Sequence, residues 1–390
     1  MTRPSEPQAP SSGAQPLAHL DEWVTPNTAD DAGHLRMGTL LEWMHMVGVL
    51  AASRHCRAPV ATVAVDGLQI MRPLRVGDRI SLDAQVIHTS AHTVTVRVHV
   101  AVERKPVAQG NMAFVQPNRA GQLLDVPQFS PEADNQVQAY HEIELRRLER
   151  QRLRGCSPFE TGFLTLLAPN SAAPAANDLD TTGATRRRAI LRRPPLERPA
   201  GHGRERADTQ LLHVARTIEV LKTFPTDITL PWDLESSDPN GHFGHVRLTE
   251  MVCKPHLNLL GKLHGGIATR WIEHAACLSA RAWLGHAPAR LTSMHGITFQ
   301  AAPQEHQFVH IQAGVAHTDQ DSLTVLVALH SEDPTSNTQE SVARTLFTYA
   351  PVSRISIPKL DLYSNTEHPV FREVAQRIEL QRELPTQELG

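Results

Sequence analysis

The chain has 390 residues, with 41% hydrophobic residues, 20% charged residues and a formal net charge of -3. This length allows two or three domains with sizeable cores, and the near-neutral balance gives no electrostatic ground for nucleic acid or an anionic membrane as partner. The four cysteines, Cys56, Cys156, Cys253 and Cys277, are scattered without CxxC or Cys/His ligand spacing, which argues against a disulfide framework or a zinc site.

Residues 1–17 are rich in Pro, Ser, Ala and Gln and predict a disordered N-terminus. They lack the apolar core of a signal peptide and the arginines of a transit peptide, and no run in the chain is long and apolar enough to span a bilayer, so a cytoplasmic protein is expected. A first domain is predicted over 18–160. It opens with a strand, LAHLDEWV, and a Gly/Asp-rich turn, TADDAGHLRMG. The apolar stretch TLLEWMHMVGVLAASRHC follows, whose length predicts a helix. TVAVDGLQI, RISLDAQVIHT, HTVTVRVHVAVE and NMAFVQP carry the Val/Ile/Thr alternation of strands. In the third of them Val94, Val96, Val98, Val100 and Val102 share one face, as the two-residue period of a strand requires. A charged helix is predicted at about 132–154. Residues 161–215 are rich in Pro, Gly and Arg without apolar periodicity and read as a linker, its TRRR run being a solvated charge cluster.

A second domain, 216–365, repeats the first. DPNGH at 238–242 reads as a turn, and GHVRLTEMV is the opening strand. KPHLNLLGKLHGG is the turn, IATRWIEHAACLSARAWLG the long helix, and RLTSMHGITFQ, HQFVHIQAGVAH, SLTVLVALHS and SVARTLFTYAP the strands. Gly33, Gly38 and Trp43 recur 228 positions later as Gly261, Gly266 and Trp271. With one more residue inserted, VDGLQI lines up with MHGITF. The chain closes on a helical tail, 366–390. This is an internal duplication. An apolar helix followed by antiparallel strands predicts an α+β fold in which a curved sheet wraps the helix, and two such units can pair their sheets edge to edge.

The stretch KPHLNLLGKLHGGIATRWIEH gathers an amide, Asn258, two glycines, Gly265 and Gly266, and a carboxylate, Glu273, around one helix start. The first turn of a helix carries unpaired N–H groups and partial positive charge. Glycines there let a carbonyl approach the backbone, and N–H donors at such a place stabilise a developing oxyanion. A carboxylate in an otherwise apolar helix can take a proton from an attacking water.

PHxNxxGxxxGG followed by Trp-x-acid resembles the acyl-CoA thioesterases of the hot-dog fold, and the duplication is similar to the double-hot-dog acyl-CoA hydrolases. The likeness covers roughly 18–120 and 245–352. It implies two tandem hot-dog domains paired as a pseudo-dimer and hydrolysis of a fatty acyl-CoA to a free acid and CoA. It implies no metal or redox cofactor, CoA being part of substrate and product. Beyond the acyl-CoA, a homo-oligomer of double-repeat chains is the expected partner. In this family the Asn of one repeat works with the acid of the other. Carried onto this chain, one composite site joins Asn258 and the Gly265-Gly266 turn to His45, which stands where the acid is expected. The other joins Asp30, which stands where the Asn is expected, and the Gly38 N–H to Glu273. Asp30 also matches the Asp-x-x-Gly-His turn of a second hot-dog pattern, in which that Asp is catalytic. Structural readings stand beside these: Asn258 and Asp30 as turn residues, Glu273 as a surface residue of the helix, His45 as a core histidine. The rival functions are a non-catalytic acyl-CoA-binding scaffold and an enoyl-CoA hydratase.

Overall fold

In each repeat the β-branched segments form strands and the long apolar segment a helix. The computed structural model describes residues 17–118, 121–154, 212, 244–360 and 369–382. Apart from Leu17 and residue 212, the N-terminal segment, the linker and the turn at 238–242 lie outside these ranges. The first repeat contains β1 (Leu17–Trp23), α1 (Met37–Cys56), β2 (Ala61–Val65), β3 (Leu68–Ile70), β4 (Arg79–Thr89), β5 (Thr93–Val102), β6 (Lys105–Val115) and α2 (Asp134–Arg154). The second contains β7 (Val246–Met251), α3 (Gly265–Trp283), β8 (Ala289–Met294), β9 (Ile297–Thr298), β10 (Phe308–Thr318), β11 (Leu323–Asp333), β12 (Thr338–Pro351) and α4 (Pro369–Arg382).

The strands form one 12-stranded antiparallel sheet in the order β1-β4-β5-β6-β3-β8-β12-β11-β10-β7, with β2 pairing both β6 and β9. The repeats meet edge to edge at its centre, where Leu68 faces Met294 across β3 and β8, and Val65 faces Ile297 across β2 and β9. Each repeat is therefore a hot-dog unit, and the pair is the pseudo-dimer of an α+β fold. TVAVDGLQI, expected as one strand, is two. The chain breaks at Asp66-Gly67, where a Cβ on Gly67 would stand 3.0 Å from the Met294 carbonyl oxygen. Close backbone approach at the seam requires glycine there.

The inner face of β5, Val94 to Val100 at alternate positions, is fully buried, and one core cluster draws side chains from both repeats. Removing each such Val from water contributes about 1.5–3 kcal/mol. The two central helices pack on one another, each presenting its first turn to the middle of the other. A Cβ on Gly38 would lie 3.0 Å from the Arg270 carbonyl oxygen, and one on Gly266 would lie 2.9 Å from the His45 Cβ. Glu42 and Arg270, equivalent positions of the two repeats, pair at 2.8 Å beside this crossing. On the outer faces, Ala139 and Ile143 of α2 cover Ile87, and Val370, Phe371, Val374 and Ile378 of α4 cover β10, β11 and β12. The buried Arg146 of α2 pairs with Asp66 and Glu142.

Candidate active site

The turn before each central helix is built alike. Asp30 Oδ1 accepts hydrogen bonds from the Ala32 and His34 amides, both at 2.9 Å, and Gly33 takes a φ of 78°. Asn258 Oδ1 accepts from the Leu260 and Lys262 amides at 2.9 and 3.2 Å, and Gly261 takes a φ of 72°. These are side-chain turns that only Asn, Asp and a few others form. They aim the first turn of α1 and of α3 at the facing helix, and so create two places where one repeat's helix start meets the other repeat's helix middle.

The two places differ. At the first, a cavity of about 880 Å³ is lined by Asp30, Gly38 and Glu273, with Trp43, Arg36 and Tyr349 beside them. Glu273 is 6% exposed. Its Oε2 accepts the Gly38 N–H at 3.0 Å, and its Oε1 accepts the Tyr349 hydroxyl at 3.0 Å. Burial pushes the Glu273 carboxyl up to about 7, against the lowering effects of the Tyr349 hydroxyl, the Gly38 amide and the Arg36 charge, while Asp30 raises it further. Burial and the neighbouring Glu273 charge hold the Tyr349 phenol well above its ordinary value, so it remains a hydrogen-bond donor. One turn on, burial pushes the Cys277 thiol up to about 12. It stays protonated and is no nucleophile at neutral pH.

At the second place, Asn258 and Gly265 line a pocket of only about 30 Å³, room for about one water. His45 is fully buried behind it. Its Nδ1–H donates to the Leu41 carbonyl at 2.9 Å, and its Nε2 has no hydrogen-bond partner among the described residues. Burial drives the ring down to about 3, so it is neutral and a very weak base. It packs edge-on to the His264 ring, centroids 6.4 Å apart.

Several sequence expectations change here. Among the described residues, Asn258 faces only this small pocket, whose lining includes Thr62, Leu263 and Phe299 but not His45. The Gly266 N–H, expected to serve an oxyanion, donates to His264 Nδ1 at 3.1 Å and caps its own helix. Gly265 and Gly266 are required by packing, since Cβ atoms there would press on Thr62 and His45. The Gly38 N–H is likewise engaged, holding Glu273. Glu273 is buried, not a surface residue. Tyr349 escaped the sequence reading. Its signal was an inward-facing hydroxyl on the last strand, at the position where repeat one has Phe114.

The family model described as "Thioesterase superfamily" matches the chain twice, over residues 32–109 and 260–337. Each repeat thus carries a segment similar to that family's model. Among curated relatives, it is similar to mouse acyl-coenzyme A thioesterase 11, at 30% identity over 36% of this chain and 26% of that protein. It is also similar to the rat cytosolic acyl coenzyme A thioester hydrolase, at 26% identity over 38% of this chain and 40% of that one. The matches thus span about a quarter to two fifths of these relatives' length. Among solved structures, an acyl-CoA hydrolase from Staphylococcus aureus, in complex with butyryl coenzyme A and coenzyme A, aligns at 22% identity and a TM-score of 0.33, covering 36% of this chain and 86% of that one. An oleoyl thioesterase from Lactobacillus plantarum, described as putative, aligns at 9% identity and a TM-score of 0.47, covering 87% and 98%.

Proposed function

We propose that the chain hydrolyses acyl-CoA thioesters at one composite site, in the cavity between the start of α1 and the middle of α3. The observation that carries this reading is Glu273: a buried carboxylate in a large cavity, held at both oxygens, with a proton affinity near neutrality. Burying a carboxylate is costly, and a base near the working pH is what proton transfer from water needs. Glu273 takes a proton from a water, and the water's oxygen attacks the thioester carbonyl. The start of α1 lies beside it and offers its positive end to the developing oxyanion. When the tetrahedral intermediate collapses, the C–S bond breaks and the thiol leaves with the proton. Asp30 organises the turn that places α1 and adds negative charge beside Glu273. The second place, closed and holding a nearly non-basic histidine, takes no part in the reaction. No metal or redox cofactor enters the scheme.

The rat relative's name gives a cytosolic location for that protein, and no helix among the described residues is long and apolar enough to cross a membrane. We extend the cytosolic location to this chain on that basis.

Release of free thiol from acyl-CoAs of increasing chain length tests the reading. Glu273→Gln is expected to lose on the order of a hundredfold or more in rate. Binding of acyl-CoA without thiol release by the wild-type protein would favour a scaffold instead.

A further inference from the structure

We propose that Tyr349 is the positioning residue that sets Glu273 as the base, an inference that rests on the hydrolase reading above. Two independent observations carry it. The first is geometric. The Tyr349 hydroxyl donates to Glu273 Oε1 at 3.0 Å and also lies 3.3 Å from the Glu273 backbone carbonyl. The ring is 1% exposed, so its orientation is set by packing rather than by solvent. With the Gly38 N–H on Oε2, the carboxylate is gripped at both oxygens, one grip from its own repeat and one from the other. A hydrogen bond to the ionised form favours that form. Without it, burial would hold the Glu273 proton to higher pH, leaving less of the carboxylate free to accept a proton from water.

The second observation comes from the duplication. Tyr349 faces Leu323 across β11 and β12, and Phe114 faces Val94 across β5 and β6. Thr95-Val96 and Thr324-Val325 follow those partners in the same register, so Phe114 is the counterpart of Tyr349. Both side chains belong to the inner core. Repeat two therefore has Glu273 with Tyr349, whereas repeat one has His45 with Phe114. The hydroxyl occurs where the acid occurs and is missing where the acid is missing. A tyrosine needed only to fill the core would have no reason to follow the acid, because Phe114 fills the equivalent space.

The charges that act on Glu273 are those of Arg36 and Asp30 from the segment entering α1; Tyr349 of β12 bonds it, Cys277 lies one turn on, and Asp31, His34, Glu42, Arg270, His274, Arg281 and Arg290 line the same cavity. Among the described residues only the Tyr349 hydroxyl and the Gly38 amide bond the carboxylate, and of the two only the hydroxyl can be removed without altering the backbone.

The test is the pH dependence of thioester hydrolysis by the full chain. In Tyr349→Phe the acidic limb of kcat is expected to move up by about one pH unit, so that the rate falls about fivefold at about pH 7 and about tenfold well below it, while the alkaline plateau and KM change little. Replacing the tyrosines with fluorotyrosine, whose more acidic phenol donates more strongly, is expected to move the limb down. The second arm keeps the shape of the side chain and covers the case in which the Phe variant folds poorly. Tyr349→Phe in a Glu273→Gln background is expected to add no further loss. A uniform fall in rate with the limb unmoved in both arms would reduce Tyr349 to a packing residue. If Glu273→Gln itself kept full activity, the hydrolase site would be wrongly placed, a failure distinguishable from that of the Tyr349 proposal.

Discussion

Glu273 and Asn258 stand fifteen positions apart in one motif, yet the folded chain gives them unrelated tasks. Asn258 spends its carbonyl oxygen on the Leu260 and Lys262 amides. Asn258→Ala is therefore expected to cost about 1 kcal/mol of stability from the lost turn bonds while leaving thiol release within a few-fold of wild type; a hundredfold loss of rate would return Asn258 to the chemistry. Glu273 makes the opposite trade between stability and function. Its folded-state value of about 7 lies above the ordinary 4.5. Between these values the native state holds a proton that the unfolded chain has released, so stability falls as pH rises through the window and the full penalty is present above about 7. The shift corresponds to about 3 kcal/mol. Glu273→Gln can keep both bonds, accepting from Gly38 and donating to the Tyr349 oxygen. The variant is expected to match the wild type near pH 4 and to exceed it above neutrality in denaturant titrations. An equal effect at both pH values would mean that the carboxylate carries no burial penalty.

Between elements, the decisive contact is the crossing of α1 and α3. Each helix start is seated on the other helix through a glycine, and neither glycine has a spare ångström: a Cβ on Gly266 would meet the His45 Cβ at 2.9 Å. Gly266→Ala is expected to push the helices apart and cost about 1–3 kcal/mol by overpacking, read as a lower denaturation midpoint. Because the Gly38–Glu273 contact belongs to the same crossing, thiol release should fall with it. Retained stability and rate would show that the crossing is compliant. The glycines that resemble a carbonyl-binding device are thus explained by packing, and the amides beside them are already used, Gly266 by His264 and Gly38 by Glu273.

Across the whole molecule, neither repeat owns its interior. The sheet runs unbroken from β1 to β7 through the β3–β8 seam, and the core cluster includes Leu40 and Met44 from one repeat with Ile272 and Ala276 from the other. A chain ending at residue 160 would expose the apolar faces of α1 and the seam edge. Co-expressed halves, residues 1–160 and 216–390, are expected to co-purify through a tag on either one and to recover thiol release, whereas the first half alone should aggregate or self-associate. A soluble, monomeric first half would contradict the shared core.

The duplication, the α+β class and the long central helices were legible in the sequence because they rest on local periodicity: the valines of β5 alternate, α1 is apolar on all sides, and Gly33, Gly38 and Trp43 return in register as Gly261, Gly266 and Trp271. The residues Asp30, Gly38 and Glu273 were also legible as a group, since a family motif and its register name them. The sequence could not decide which composite site is open. That depends on how Thr62, Phe299 and His45 crowd one helix crossing while the other keeps a cavity, and those side chains come from three separate segments of the chain. Nor could it reveal Tyr349, which lies 76 positions from Glu273 and reaches it only because β12 folds back along α3. Short-range pattern determines what each segment becomes; the basicity of one buried carboxylate depends on groups brought together from both repeats, and only the packed structure supplies them.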